Sequence, residues 1–388
     1  MINREAEKEL KNLSKQFKAV ALVGPRQSGK TTLSKYVFKD LPYINLENPD
    51  LRRFALNDPR GFLAQYSKGA LIDEAQRVPE VFSYLQQILD ESLAPGRFII
   101  TGSNNFLLQE NISQSLAGRI AYLYLLPFSL SELPQQYTTG LDNLLIKGFY
   151  PPVYDQPVSA DKWLANYIHT YVERDVRQIK NITDLNAFDR FIRLCAGRIG
   201  QLLNMNNLAI ETGVDNKTVA SWIGILESSF ILYRLQPHYA NFNKRVVKMP
   251  KLYFYDTGLA CSLLGIQNTE QLKFHPLAGS LFENFVIGEI QKKIYNRGIN
   301  QKLYFWRDNT GHEIDIIIER PEGLFPVEIK SGMTINSEYF KELHFWQKIS
   351  GKMPGVIVYS GDITQKRSDS IEVIGWKKLS GYDFFNVN

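Results

Sequence analysis

The run Gly24-Pro25-Arg26-Gln27-Ser28-Gly29-Lys30-Thr31 has glycine at its first and sixth positions and ends on a lysine and a hydroxyl. That spacing suits a loop whose backbone N–H groups turn toward phosphate oxygens, with the following helix adding its partial positive charge. Lys30 is placed to reach the terminal phosphates and the Thr31 hydroxyl to take one position on Mg²⁺, while Thr32 continues the phosphate-binding run. Downstream, the apolar stretch Ala70-Leu71-Ile72 runs into Asp73-Glu74. A strand ending in two carboxylates suits an Asp73 that holds the metal through water and a Glu74 that activates an attacking water. A later strand, Arg97–Thr101, leads to Ser103 and Asn104, either of which can orient that water, with Thr101 read as the strand's cap. Arg119 precedes another apolar run, and reads either as a charge donor to a transferring phosphoryl group or as a surface arginine.

A second set of chemistry-bearing residues lies near the C-terminus, in Gly311-His-Glu-Ile-Asp315 and Val327-Glu328-Ile-Lys330. Strand geometry puts Glu328 and Lys330 on one face, and pairing of the two strands would bring Asp315 to them. An Asp, a Glu and a Lys so gathered can hold Mg²⁺ and position water, with a helix acid, Glu283 or Glu289, completing the shell. The other reading is an ordinary antiparallel hairpin with alternating charges. The histidines at 169, 238, 275, 312 and 344 do not cluster. Cys195 and Cys261 lack metal-ligand or disulfide spacing, which fits a reducing interior.

The elements that must position these groups follow from hydrophobic patterning. Between Lys18 and Leu133, short apolar strands at Ala19–Val23, Tyr43–Leu46, Ala70–Ile72, Arg97–Thr101 and Ala121–Leu126 alternate with helical stretches near Lys30–Phe38, Val81–Ser92 and Leu107–Leu116. That alternation predicts a parallel α/β sheet. Helical periodicity then dominates to about Pro237. After Gly279 comes a helix, Leu281–Tyr295, then strands at Lys302–Trp306, Glu313–Ile318, Phe325–Ile329 and Gly355–Tyr359. At 388 residues the chain should hold two or three domains. The N-terminus lacks a signal-peptide core and no stretch is long enough to span a bilayer, so a cytoplasmic protein with no membrane partner is expected.

Gln201–Leu226 reads as a helix-turn-helix, with Gly213 in the turn, Asn216 capping the second helix, and Val219, Trp222, Ile223 and Leu226 on its buried face. A strand from Phe230 to Leu235 would start a wing. From Arg190 to Lys251 there are nine Lys or Arg against three acids, whereas the whole chain carries a net +5. Such a field suits non-specific contact with double-stranded DNA. The exposed residues Asn216, Lys217, Ser221 and Gly224 are poor for base readout, so a packing or assembly role stands beside it.

The phrases Val23–Thr32, Leu71-Ile-Asp-Glu-Ala-Gln76, Ile100-Thr-Gly-Ser103 and Leu116-Ala-Gly-Arg119 resemble the AAA+ superfamily. With Tyr171-Val-Glu-Arg-Asp175 and Leu252–Leu259, the whole chain resembles prokaryotic AAA-type ATPases that carry a C-terminal domain of unknown function. The resemblance implies ATP as the nucleotide, hydrolysis with Mg²⁺, and a fold in which a further strand is inserted between the P-loop strand and the Asp73 strand. It also makes Arg174 the nearest candidate for a lid arginine and leaves a homo-oligomer open. The hairpin resembles the PD-(D/E)xK nuclease core. The expected architecture is therefore α/β: an AAA+-type P-loop NTPase core (1–135), a helical lid (136–186), a winged-helix domain (187–251) and a C-terminal restriction-endonuclease-like α/β domain (252–388). The expected function is a DNA-associated ATPase switch or motor. The alternative is an ATP-controlled protein-interaction module with an inert nuclease-like fold.

Overall fold

Every residue of strand β1 (Ala19–Val23) is buried, as its unbroken apolar run requires of a parallel strand covered on both faces. The computed structural model describes residues 2–91, 94–102, 116–172, 184–239, 246–351 and 353–385. Ser103, Asn104, Arg174 and the helix expected near 107–116 (Leu116 apart) lie outside them. Helix α1 (Ala6–Gln16) precedes β1, and α2 (Lys30–Val37) follows it. Then come β2 (Tyr43–Asn45), α3 (Pro49–Asn57), α4 (Pro59–Ala64), β3 (Ala70–Asp73), α5 (Glu80–Glu91), β4 (Phe98–Gly102) and β5 (Ile120–Tyr124).

These five strands form a parallel sheet in the order β2-β3-β4-β1-β5. Strand β4 thus sits between β1 and β3, as the resemblance implies. Alternation divides β1 between two cores: Val20 and Leu22 pack with Ala6, Leu10 and Leu33, while Ala21 and Val23 pack with Ile72, Ile100, Phe62 and Phe82. Each of the larger of these side chains contributes roughly 1.5–3 kcal/mol on burial. Helices α3 and α4, absent from the sequence reading, have ready start signals. The Asn48 side chain accepts from the N–H groups of Asp50 and Leu51, the Asp58 side chain accepts from that of Gly61, and a proline opens each helix.

The middle of the chain is helical: α6 (Leu141–Lys147), α7 (Pro152–Asp155), α8 (Ala160–Tyr167), α9 (Leu185–Ala196), α10 (Met205–Thr212) and α11 (Asn216–Ser228). Gly213 takes a left-handed conformation between α10 and α11, but Asp215, one residue before the expected Asn216, caps α11 by accepting from the Thr218 N–H. Strands β6 (Leu232–Pro237) and β7 (Lys251–Phe254) pair antiparallel. They lead to α12 (Thr257–Leu264), α13 (Thr269–Phe274) and the 19-residue α14 (Ala278–Asn296). Strands β8 (Leu303–Arg307), β9 (Glu313–Arg320) and β10 (Gly323–Lys330) follow, then α15 (Lys341–Ser350), β11 (Val356–Tyr359), β12 (Gln365–Lys366) and β13 (Glu372–Gly375).

Strand β6 also pairs in parallel with β8, through Gln236–Tyr304 and Pro237–Phe305, so the second sheet has eight strands in the order β12-β13-β11-β10-β9-β8-β6-β7. The border expected at 251/252 therefore falls inside one sheet. One hydrophobic cluster runs from Phe128 through the middle helices to Phe385, so these parts share a core. Helix α14 is buried nearly all round, including Asn284, Glu289 and Lys292, and its Tyr295 ring lies 4.9 Å from Tyr124 of β5. Among the described residues no helix is long and apolar enough to cross a membrane.

Candidate functional site

Parallel pairing aligns the C-terminal ends of β1, β3 and β4, so the loop after Val23, Asp73 and Thr101 meet at one edge of the sheet, where open α/β sheets bind ligands. A side chain at Gly24 would run into the Leu125 carbonyl, so glycine lets the loop pass beneath the end of β5. Gly29 has φ +92° and leads into α2. The Lys30 ammonium is folded back within the loop, donating to the Gly24 carbonyl at 2.9 Å and the Pro25 carbonyl at 2.7 Å. The loop opens on a cavity of 520 Å³, bounded on the far side by Pro151, Pro152, Asp155 and Gln156 around α7.

Three hydroxyls converge on Asp73. The Thr31 and Tyr43 hydroxyls both donate to Oδ2 at 2.8 Å, and the Thr101 hydroxyl donates to Oδ1. Thr101 thus serves the carboxylate rather than capping its own strand, a correction to the sequence reading. A hydroxyl and a carboxylate oxygen facing each other at the mouth of the loop form a donor set that fits Mg²⁺. Glu74 is held at φ +55°, and its carboxylate accepts from the Gln76 side chain at 2.6 Å. Burial raises the Glu74 carboxyl above its ordinary range and Asp73 adds to this, against the opposing pull of Lys30 and Arg26. A carboxylate so raised is suited to accepting a proton.

Arg119 does not reach this site within the same chain. Its carbonyl accepts from the Ala19 N–H at the start of β1, whereas the loop leaves β1 at the far end, a strand length away. Its guanidinium is paired to Asp90 of α5 through two bonds, at 2.5 and 3.0 Å. Tyr43, Glu47 and Gln76 surround the site but were not singled out from the sequence. Gln76 was open to detection, standing two residues after Glu74. Tyr43 reaches Asp73 only through the pairing of β2 with β3.

The C-terminal set comes together only in part. Strands β9 and β10 pair up to Val327–Ile316, which brings together Glu328 and Asp315, the next residue of each strand. Glu328 is ion-paired to Lys330, and Asp315 Oδ2 accepts from the Ile329 N–H at 2.7 Å. Glu283 of α14 accepts from the Lys251 ammonium at 3.1 Å and from the Tyr253 hydroxyl. Lys251, 3% exposed, also pairs with Glu313. Glu289 faces away, accepting from the Leu130 N–H and from Lys292. Burial, with Glu328 and Glu283 nearby, raises Asp315 well above the carboxylate range, and burial pushes Glu328 up to about 7 despite Lys330. Among the described residues no three His, Cys, Asp or Glu side chains are grouped to hold a metal. Lys251 stands between Glu283 and Glu313 and Lys330 is paired to Glu328, so these carboxylates near Asp315 face lysines rather than an open Mg²⁺ position.

The basic field of 190–251 is also depleted. Arg193 pairs with Asp189, Arg198 with Glu211, Arg234 with Glu227, and Lys251 is buried. Lys244 and Arg245 lie outside the described residues.

Compared with known proteins, residues 16–134 match the AAA domain family, 138–270 a domain of unknown function (DUF8612), and 278–379 another (DUF4143). Uncharacterized protein Rv2008c of Mycobacterium tuberculosis is 33% identical over 336 residues, covering 85% of this chain and 74% of that protein. Uncharacterized protein MJ1544 of Methanocaldococcus jannaschii is 23% identical over 352 residues, covering 82% and 75%. Among solved structures, the Walker-type ATPase paby2304 of Pyrococcus abyssi aligns over 68% of this chain and 96% of its own, at 13% identity and a TM-score of 0.46.

Proposed function

The chain belongs to the same family as the mycobacterial protein Rv2008c, and from its AAA domain we propose that it binds ATP with Mg²⁺, hydrolyses it, and uses the cycle to switch contacts between its C-terminal half and a protein partner. The observation that carries the ATPase reading is the meeting of Thr31, Asp73 and Glu74 at the mouth of the glycine loop. Lys30 leaves the Gly24 and Pro25 carbonyls to face the terminal phosphates. Thr31 and Asp73 would hold Mg²⁺, which supplies charge to offset that on the phosphate oxygens. Glu74 accepts the proton of the attacking water, with Asn104 as the orienting group. Arg119 can supply charge only to the site of a neighbouring copy, should the chain assemble as a homo-oligomer.

A protein partner is favoured over DNA by two features. Four of the nine basic residues from 190 to 251 are neutralised or buried within the chain. The carboxylates of the nuclease-like hairpin are engaged by lysines and a backbone N–H. The test is steady-state ATP turnover with Mg²⁺, with and without double-stranded DNA, using Lys30→Ala as the blank. Turnover that disappears in the blank and ignores DNA is expected. Several-fold stimulation by DNA would reverse the choice of partner, and turnover unchanged in Lys30→Ala would sink the ATPase reading.

A further inference from the structure

Outside the site described above, the most constrained charged group touching it is Arg4, which precedes α1. It is 7% exposed, and its guanidinium is used on three sides. Nη1 donates to the Ser28 carbonyl at 2.6 Å, Nη2 to the Leu126 carbonyl at 2.6 Å, and Nε to Glu132 Oε1 at 3.0 Å. The plane also lies 4.9 Å from the Phe128 ring centroid. Ser28 belongs to the phosphate loop. A trans peptide points its C=O and N–H in opposite directions, so gripping the Ser28 carbonyl fixes where the Gly29 N–H points. A side chain at Gly29 would sit 3.3 Å from Nη1, so the arginine packs directly under the loop.

The segment from Leu126 to Glu132 that shares this guanidinium is pinned on its other side by α14. The Glu132 carboxylate accepts from the N–H groups of Glu5 and Ser129 as well as from Arg4. The next N–H, of Leu130, donates to Glu289 Oε2 at 2.7 Å, and the Phe128 carbonyl accepts from Lys292 at 2.8 Å. Glu289 and Lys292 bond each other at 2.8 Å, and both are buried on α14. A continuous series of charge-assisted bonds thus joins the phosphate loop to the helix that carries the eight-stranded sheet.

We propose that Arg4 is a positioning residue of the ATP site, orienting the Ser28–Gly29 peptide, and that segment 126–132 carries the state of that loop to α14. This rests on the ATPase reading and names the route by which the C-terminal half would sense nucleotide. When phosphate draws the Gly29 N–H toward itself, the Ser28 carbonyl moves with it. Arg4 and Glu132 then shift the backbone held by Glu289 and Lys292.

The test uses the full chain with Arg4→Lys, Arg4→Gln and Glu289→Gln. ATP affinity and turnover are measured, together with hydrogen exchange of 126–132 and α14 with and without a non-hydrolysable ATP analogue and Mg²⁺. In the unaltered chain the analogue is expected to change exchange in both segments. Arg4→Gln should raise KM for ATP at least tenfold with kcat changed less, and at saturating analogue the response of α14 should be lost. Arg4→Lys, which keeps the charge but loses the fork, should recover part of the KM. Glu289→Gln should keep normal ATP affinity and exchange changes in the phosphate loop while losing the response of α14. Normal KM in Arg4→Lys, or in Arg4→Gln where it folds, would overturn the positioning role, and a full α14 response in Glu289→Gln would overturn the route. Should Arg4→Gln fail to fold, Arg4→Lys and Glu289→Gln still decide both points. Absence of ATP binding by the unaltered chain is a separate outcome that removes the ATPase reading, and this proposal with it.

Discussion

Replacing Lys251 with methionine isolates the energetics of the C-terminal carboxylates. Burial pulls the Lys251 ammonium pKa down, but Glu283, Glu313 and Asp315 more than reverse this and leave it raised. Methionine keeps most of the side-chain volume and removes the charge, so Glu283 and Glu313 lose their shared cation inside the protein. Breaking a buried pair in this way costs about 3–5 kcal/mol. At about 2–4 °C per kcal/mol for a unit of this size, the transition reporting the C-terminal sheet should fall by roughly 10 °C at pH 8. The pH dependence has a definite sign. Without the ammonium the buried carboxylates are harder to ionise, and an acid whose folded pKa is raised above its unfolded value loses stability as pH rises between the two. The deficit should therefore shrink toward pH 5 as the orphaned acids take up protons. Thermal and urea unfolding at pH 5 and pH 8 measures it, with Lys251→Met/Glu313→Gln expected to recover part of the loss. A deficit under about 1 kcal/mol at pH 8, or an equal one at both pH values, would refute this reasoning.

Glu74→Gln should keep ATP binding and lower kcat by a factor of about 100 or more, read as tight nucleotide binding with little phosphate release. Arg119→Ala should leave turnover within twofold at protein concentrations low enough to prevent assembly, because the residue stands at the wrong end of β5 from its own phosphate loop; a large loss under dilution would contradict this placement. Because burial raises Glu328 to about 7, its ionisation should destabilise the fold as pH climbs from about 4.5 to 7. Glu328→Gln should remove that slope from a plot of unfolding free energy against pH, and an unchanged slope would assign it to other groups.

The glycine loop could be placed from sequence because its parts are local: the loop, its strand and its helix occupy Ala19 to Val37 without interruption. The Asp73–Glu74 pair was equally open, since a buried strand ending in acids marks its own C-terminal edge. Arg4 was not, because its partners lie 24, 122 and 128 residues away and no periodicity links them. Lys251 was counted among surface charges because a lysine in a basic stretch gives no sign that acids from α14 and β9 will close around it. Arg119 was drawn toward the phosphates by proximity in sequence to β5, and only the parallel register shows that it sits at the opposite end. Strand β6 fitted a wing locally, and its second partner, β8, follows more than sixty residues later.

That second partner has a practical bearing on dissecting the molecule. A fragment starting at residue 278, where the match to the last domain begins, would contain β8 but neither β6 nor β7. Its sheet would end on β8, with the backbone groups that face Gln236 and Pro237 opened to solvent. Bare strand edges of this kind recruit other strands, so the fragment is a poor candidate for independent expression and a ready one for self-association. The smallest piece that keeps this edge covered starts before Leu232, within what the sequence presents as the preceding domain. Exchange of the C-terminal half between relatives would have to carry β6 and β7 along with it.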